Sequence, residues 1–215
     1  MALRLGRTAL LHFMSQVAVS VSGFLATFVI ARVLGAEGVG VYALSLSLMV
    51  WVTLPIAGPR QAMRKRISEG VEQAEYFTSG VILVGLPTLV VSALILVFDE
   101  QVNGYVGENV AVLIVAIVVT SSLFHLLRRT LHGLNKVAHA GGVRAMERVL
   151  RSGFQIGLML LGYEIFGLFF GHAFSLLVAS ALTLFFVELK PAVPRLRHFR
   201  SLLSYAKYGW SGNVK

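Results

Sequence analysis

Residues 13–34 form an unbroken apolar run in which only Gln16 and Arg32 are strongly polar. A helix rises about 1.5 Å per residue, so a run of this length crosses a hydrocarbon layer roughly 30 Å thick. With no water in that layer, each backbone amide must find its partner inside the segment, which dictates helix. An arginine in such a helix costs about 2.5–3.5 kcal/mol at mid-membrane and less towards the interface. Arg32 therefore either anchors to headgroups or faces a polar cavity. Gln16, Ser20, Gly23 and Thr27 recur at i, i+4, i+7 and i+11, a stripe of small or hydrogen-bonding side chains suited to helix packing. Arg32 sits about 160° around the helix from Gln16 and is not on that stripe.

The same character extends through the chain. Of 215 residues, 56% are hydrophobic and 13% charged, with a mean hydropathy of +0.78. A soluble globule of this size cannot bury that much apolar surface, so the chain is a multispanning membrane protein. A net charge of +9 would fit nucleic acid only if the basic residues clustered on a solvated domain. No such domain is present, and nucleic acid is not expected as a partner. The absence of cysteine excludes disulfides, lipidated thiols and thiolate metal sites. The opening MALRLGR and its apolar run resemble a signal peptide, but the run is too long for one and is read as a retained first helix.

Further apolar runs cover residues 39–57, 76–98, 110–127, 143–162 and 165–187, which makes residues 1–190 a six-helix transmembrane bundle. Residues 191–215 are expected to form a cytoplasmic amphipathic linker and the start of a truncated seventh helix. Gly35, Gly38 and Gly40 supply the turn after the first span, and Gly58-Pro59 is read as the end of the second. The segment after it carries Arg60, Arg64, Lys65 and Arg66, is too charged to span, and reads as a loop or surface helix. Pro87 predicts a kink in the third span. In the fifth, Arg144, Glu147, Arg148 and Arg151 fall within an arc of about 100°. A GYE turn separates the last two spans, and the basic piece 195–207 is expected to lie on the membrane surface.

With a cytoplasmic N-terminus, this layout places 18 of the 19 basic residues on the cytoplasmic side, Arg32 being the exception. The other side receives Glu37, Asp99, Glu100, Glu108 and Glu164. Such asymmetry is what the positive-inside rule demands of a multi-pass protein of the cell membrane with both termini cytoplasmic.

Several motifs occur in order on this topology: Ala31-Arg32-x-Leu34-Gly35 with Gly40-x-Tyr42, Gly58-Pro59-Arg60-Gln61-Ala62 leading to Ser68-Glu69, and Arg129-x-Leu131-x-Gly133-Leu134-Asn135. Together they resemble the Wzx-like polysaccharide transporter or oligosaccharide flippase family, within the superfamily of lipid II flippases and multidrug and toxin extruders. The resemblance implies an all-α fold of two six-helix lobes around a central cavity. It also implies export of a polyprenyl-linked oligosaccharide by alternating access. Full members have twelve to fourteen helices, so this chain corresponds to one lobe, to be completed by a second six-helix bundle or by a homodimer.

Such a lipid-linked oligosaccharide carries phosphate, which needs a wet, cationic path beside the membrane lipids. Arginine suits it, because its fork donates to phosphate oxygens and stays charged. The substrate-binding candidates are Arg32, Arg144, Arg148 and Arg151, with Glu147 as counter-ion. His172 either passes protons or a coupling ion, or is hydrogen-bonded between helices. His125, His132 and His139 are spaced by seven, but Gly133 and Ala140-Gly141-Gly142 argue against the continuous helix a metal site would need, and neither metal nor cofactor is expected. Three other functions compete. Organic-cation antiport usually needs membrane carboxylates, and Glu147 is flanked by arginines. A membrane enzyme finds no GxSxG, HExxH or Asp-rich motif, so no enzyme is expected. The third is a non-transporting scaffold.

Overall fold

The computed structural model describes residues 2–211, with side chains at Val17 and from residue 20 to 207. Gln16, the first member of the small-residue stripe, and the cations Arg4, Arg7 and Lys215 lie outside the described side chains. So does the beginning of a seventh span past residue 207.

The apolar runs fold as α1 (Ala2–Ser68), α2 (Gln73–Val97), the short α3 (Asp99–Val106), α4 (Ala111–Gly133), α5 (Val137–Leu158), α6 (Glu164–Phe186) and α7 (Leu196–Ser211). A π-helical turn, Met159–Tyr163, joins α5 to α6. Among the described residues there is no strand, and the expected all-helical membrane bundle is borne out.

Among the described residues, four stretches are long and apolar enough to cross a membrane, and two of them are far too long to do so once. Ser20–Ser68 has 49 residues and Val137–Phe186 has 50, each about 75 Å if straight against a core of roughly 30 Å. Both are broken by glycine. Gly35 adopts φ 68°, ψ −170° inside α1, conformations from which a Cβ is excluded, and the chain leaves helical geometry there. Gly162 (φ 87°) and Glu164 (φ 44°) break the second stretch within the expected GYE turn.

The second half of α1 corrects the boundary drawn at Gly58-Pro59. The helix continues through Pro55 and Pro59 to Ser68 and carries the four basic residues with it. A proline removes one backbone hydrogen bond. Burial outweighs that loss: Ile56, Ala62, Met63 and Ile67 are fully buried and share a cluster with Phe77 and Val84 of α2, Leu126 and Leu127 of α4, and Leu202 of α7. Gly133 ends α4 where a Cβ would stand 2.8 Å from the Ile67 side chain and 2.9 Å from the Arg64 carbonyl, so α4 crosses α1 in close contact. α2 passes Pro87 without leaving the helix. α5 starts six residues before the expected 143, taking Gly141 and Gly142 into its first turns.

The basic C-terminal piece packs one side of α7 on the bundle: Leu202, Ala206 and His198 are buried, while Leu196 and Leu203 are exposed. His198 Nδ1 accepts from the Arg195 backbone N–H at 2.8 Å, which leaves Nε2 to donate to Glu72 at 3.0 Å, and Arg197 pairs with the same carboxylate. At the other end of the bundle, Asn103 of α3 accepts from the backbone N–H groups of Val110 and Ala111, both at 2.9 Å, and so caps α4.

Candidate functional site

A larger apolar cluster joins α1, α4, α5 and α6 through Ile30, Val41, Ile114, Phe124, Phe169 and Leu176. Within it lies a chain of polar side chains. Its formation begins with two glycines. Gly167 and Gly171 of α6 face α5, where a Cβ at Gly171 would meet the Gln155 backbone N at 2.8 Å and the Phe154 carbonyl carbon at 3.0 Å. Small residues at this spacing let two helix backbones approach. The approach brings Gln155 of α5 within reach of α6, and its amide donates to the Leu168 carbonyl at 3.0 Å.

From there the contacts run in sequence. Gln155 also donates to the Tyr42 hydroxyl oxygen at 2.9 Å, which ties in α1. The Tyr42 hydroxyl lies 2.9 Å from His172 Nδ1, and its ring meets Phe169 edge-on at 5.4 Å between centroids. The Arg151 guanidinium reaches His172 Nε2 at 3.0 Å. The same guanidinium grips Glu147 with two nitrogens, donating to Oε2 at 3.2 Å and standing 3.1 Å from Oε1. A guanidinium has no acceptor. His172 Nε2 must therefore accept, its proton resides on Nδ1, and Nδ1–H donates to Tyr42. His172 is a neutral imidazole in one tautomer.

Helix lengths give the depth. Tyr42 is seven residues from Gly35 and His172 eight from Glu164, each about 10–12 Å in from its glycine break. Arg151 and Glu147 follow one and two turns deeper along α5. The network thus sits within the apolar thickness of the bundle.

The arc of charge on α5 divides along its width. Glu147 and Arg151, at one edge, turn inward, Glu147 being 97% buried; Arg144 and Arg148, at the other, are exposed on the bundle surface. These charges do not stand alone. Arg128 of α4 feels Arg144, Arg148 and Glu147, Arg60 of α1 feels Arg128 and Arg129, and His125 of α4 feels Arg60, Arg128 and Arg151. Three helices thus contribute cations to one field, with Glu147 the one carboxylate among them. The Nε of Arg128 is buried without a hydrogen-bond partner, and the Oε1 of Glu147 is buried with only its ion-pair contact to the Arg151 Nε. Arg32 is exposed and outside this group. His125 and His132 lie on α4 and His139 on α5, and no group of three metal-ligating side chains occurs among the described residues.

Sequence reasoning singled out Arg151, Glu147 and His172 but missed Tyr42 and Gln155 as members of the site. Their signal was available in part, in Gly167-x-x-x-Gly171, the close-packing motif that brings α6 to Gln155. Tyr42 was marked only as part of the Gly40-x-Tyr42 motif, with nothing in its local pattern to assign it a partner.

No family model matches the chain, and no solved structure does. Two proteins of Haloferax volcanii do. One, described as "Probable flippase AglR", is 28% identical over 214 residues, 99% of this chain and 45% of its own length. The other, "Probable low-salt glycan biosynthesis flippase Agl15", is 29% identical over 205 residues, 95% of this chain and 43% of its own. The chain spans somewhat less than half the length of the curated relatives it matches. The resemblance to the flippase family carried by the sequence motifs is thereby borne out, for it is to flippases that this helical membrane chain is similar along nearly its whole length.

Proposed function

We propose that the chain is one lobe of a transporter, not an enzyme, that moves a lipid-linked oligosaccharide across the cell membrane by alternating access, with its termini on the cytoplasmic side. The observation that carries this reading is the field of cations on α1, α4 and α5, balanced by a single carboxylate. Charges so arranged repel one another and lack counter-ions. A phosphate-bearing headgroup relieves the imbalance, and arginine forks match its oxygens. Arg148 and Arg144 receive the headgroup on the exposed side of α5, and Arg151 meets it from within. The lipid tail remains among membrane lipids beside exposed Phe24, Trp51 and Phe185. The relatives' greater length supports a second six-helix bundle, or a second copy of this one, facing the same cations. Organic-cation antiport is the weaker reading, because a cation would enter a field that is already positive.

The test is charge reversal of Arg148 and Arg151 together. Membrane insertion is expected to persist while surface glycan falls to background and its lipid-linked precursor collects on the inner leaflet. Normal export by that double variant removes the cationic path from the mechanism.

A further inference from the structure

The tautomer forced on His172 has a consequence for protons. Nε2 offers a single lone pair in the plane of the ring, and Arg151 occupies it at 3.0 Å. Nδ1–H is spent on Tyr42. We infer that Arg151 and a proton compete for Nε2 of His172, so that drawing Arg151 away to an anionic cargo admits one proton to the bundle.

The groups around the ring fit such an exchange. Tyr42 faces it from α1, His125 from α4, and Gln155, Arg148, Arg151 and Glu147 approach along α5. On α6 itself, the Ser175 hydroxyl donates to the His172 carbonyl at 2.8 Å and leaves the ring free to take up charge. While Arg151 is in place, an imidazolium would set an N–H against the guanidinium, two donors with no acceptor between them. When Arg151 swings to a phosphate, both obstacles go. A proton from water binds Nε2, and Nδ1–H stays on Tyr42. The balance is one proton taken up for one arginine withdrawn, and by linkage a proton at Nε2 strengthens the hold of cargo on Arg151 to the same degree. The cargo half of this inference rests on the function proposed above; the competition at Nε2 does not.

The experiment uses the full chain in lipid nanodiscs with nitrogen-15 histidine, the His172 signals being assigned by their loss in His172→Gln. In the unmodified chain the Nδ1–H tautomer is expected, with Nε2 unprotonated. In Arg151→Gln the second proton is expected to bind at higher pH than in the unmodified chain. An Nε2–H tautomer in the unmodified chain, or identical titration in both proteins, overturns the inference. The second arm adds a short-chain polyprenyl phosphate and reads proton uptake with a pH-indicator dye. Uptake of roughly one proton per bound probe, abolished in His172→Gln, supports the exchange, and binding without uptake overturns it. A probe that fails to bind at all sinks the proposed cargo, and the tautomer and titration arm then decides the competition alone.

Discussion

Gly171→Ala is the sharpest perturbation of the contact on which the site depends. The added methyl would stand 2.8 Å from the Gln155 nitrogen, 3.0 Å from the Phe154 carbonyl carbon and 3.1 Å from the Gln155 Cα. All three are backbone atoms, which no side-chain rotation can move aside. Ordinary contact begins near 3.5 Å, so α5 and α6 must part by about 0.5–0.7 Å. The Gln155 to Leu168 and Arg151 to His172 bonds, both 3.0 Å, cross this seam and would lengthen to about 3.6 Å, beyond hydrogen-bonding range. Overpacking of this kind costs about 1–3 kcal/mol. Against it stands the helix-propensity gain of alanine over glycine, about 0.8–1.0 kcal/mol. Gly153, on α5 with open space around it, isolates that gain. Gly153→Ala is expected to be neutral or stabilising, and Gly171→Ala to lie about 1–3 kcal/mol below it, since the propensity gain cancels in the difference. Reversible unfolding by SDS titrated into detergent micelles, followed by circular dichroism, measures both. Equal stabilities would refute the close approach of α5 and α6, and with it the geometry of the polar chain.

Tyr42→Phe keeps the ring against Phe169 but strands the donors of Gln155 and His172; a loss of about 0.6–1.7 kcal/mol is expected in the same assay, and no loss would remove Tyr42 from the network. His198 and then Arg197 hold the Glu72 carboxyl below the ordinary carboxylate range. A lowered folded value means that the attachment of α7 is complete above the unfolded value of about 4.3 and is lost as pH falls through the folded one. Hydrogen exchange along α7, corrected for intrinsic rate, should therefore quicken on acidification, and already at neutral pH in Glu72→Gln; unchanged α7 protection in that variant contradicts the latch. Since the chain has no cysteine, single substitutions report orientation: Glu108→Cys is expected to react with an impermeant maleimide outside intact cells and Lys65→Cys not to, and the reverse pattern inverts the topology.

Spans were legible in the sequence wherever local chemistry decides. Residues 165–187 match Glu164–Phe186 and residues 76–98 match Gln73–Val97 because no Asp, Glu, Lys or Arg interrupts them, and Gly35 and Gly162 break the chain where glycine tolerates the angles. Gly58-Pro59 and Gly141-Gly142 were misread for one reason. Both are helix breakers in water, and both are carried through by tertiary burial or by the requirement for backbone bonds in an apolar setting, neither of which is a local property. The site shows the same division. The Glu147–Arg151 pair is visible at i, i+4, whereas Tyr42 meets its partners across 113 and 130 positions, a distance over which no periodicity extends.

The arm of α1 beyond Gly35 is a stiff rod of 33 residues, about 50 Å, and therefore overhangs a bilayer core of roughly 30 Å at its far tip. Its far end is packed on α4, with Ile67 and the Arg64 carbonyl against Gly133, so any tilt about the glycine is passed on to that helix. A swing of about 10° would move Tyr42, near the fulcrum, by about 2 Å, and Ser68 by about 9 Å. Small adjustments around the phenol are thus magnified more than fourfold at the tip, where Lys65 and Arg66 pair with Glu69.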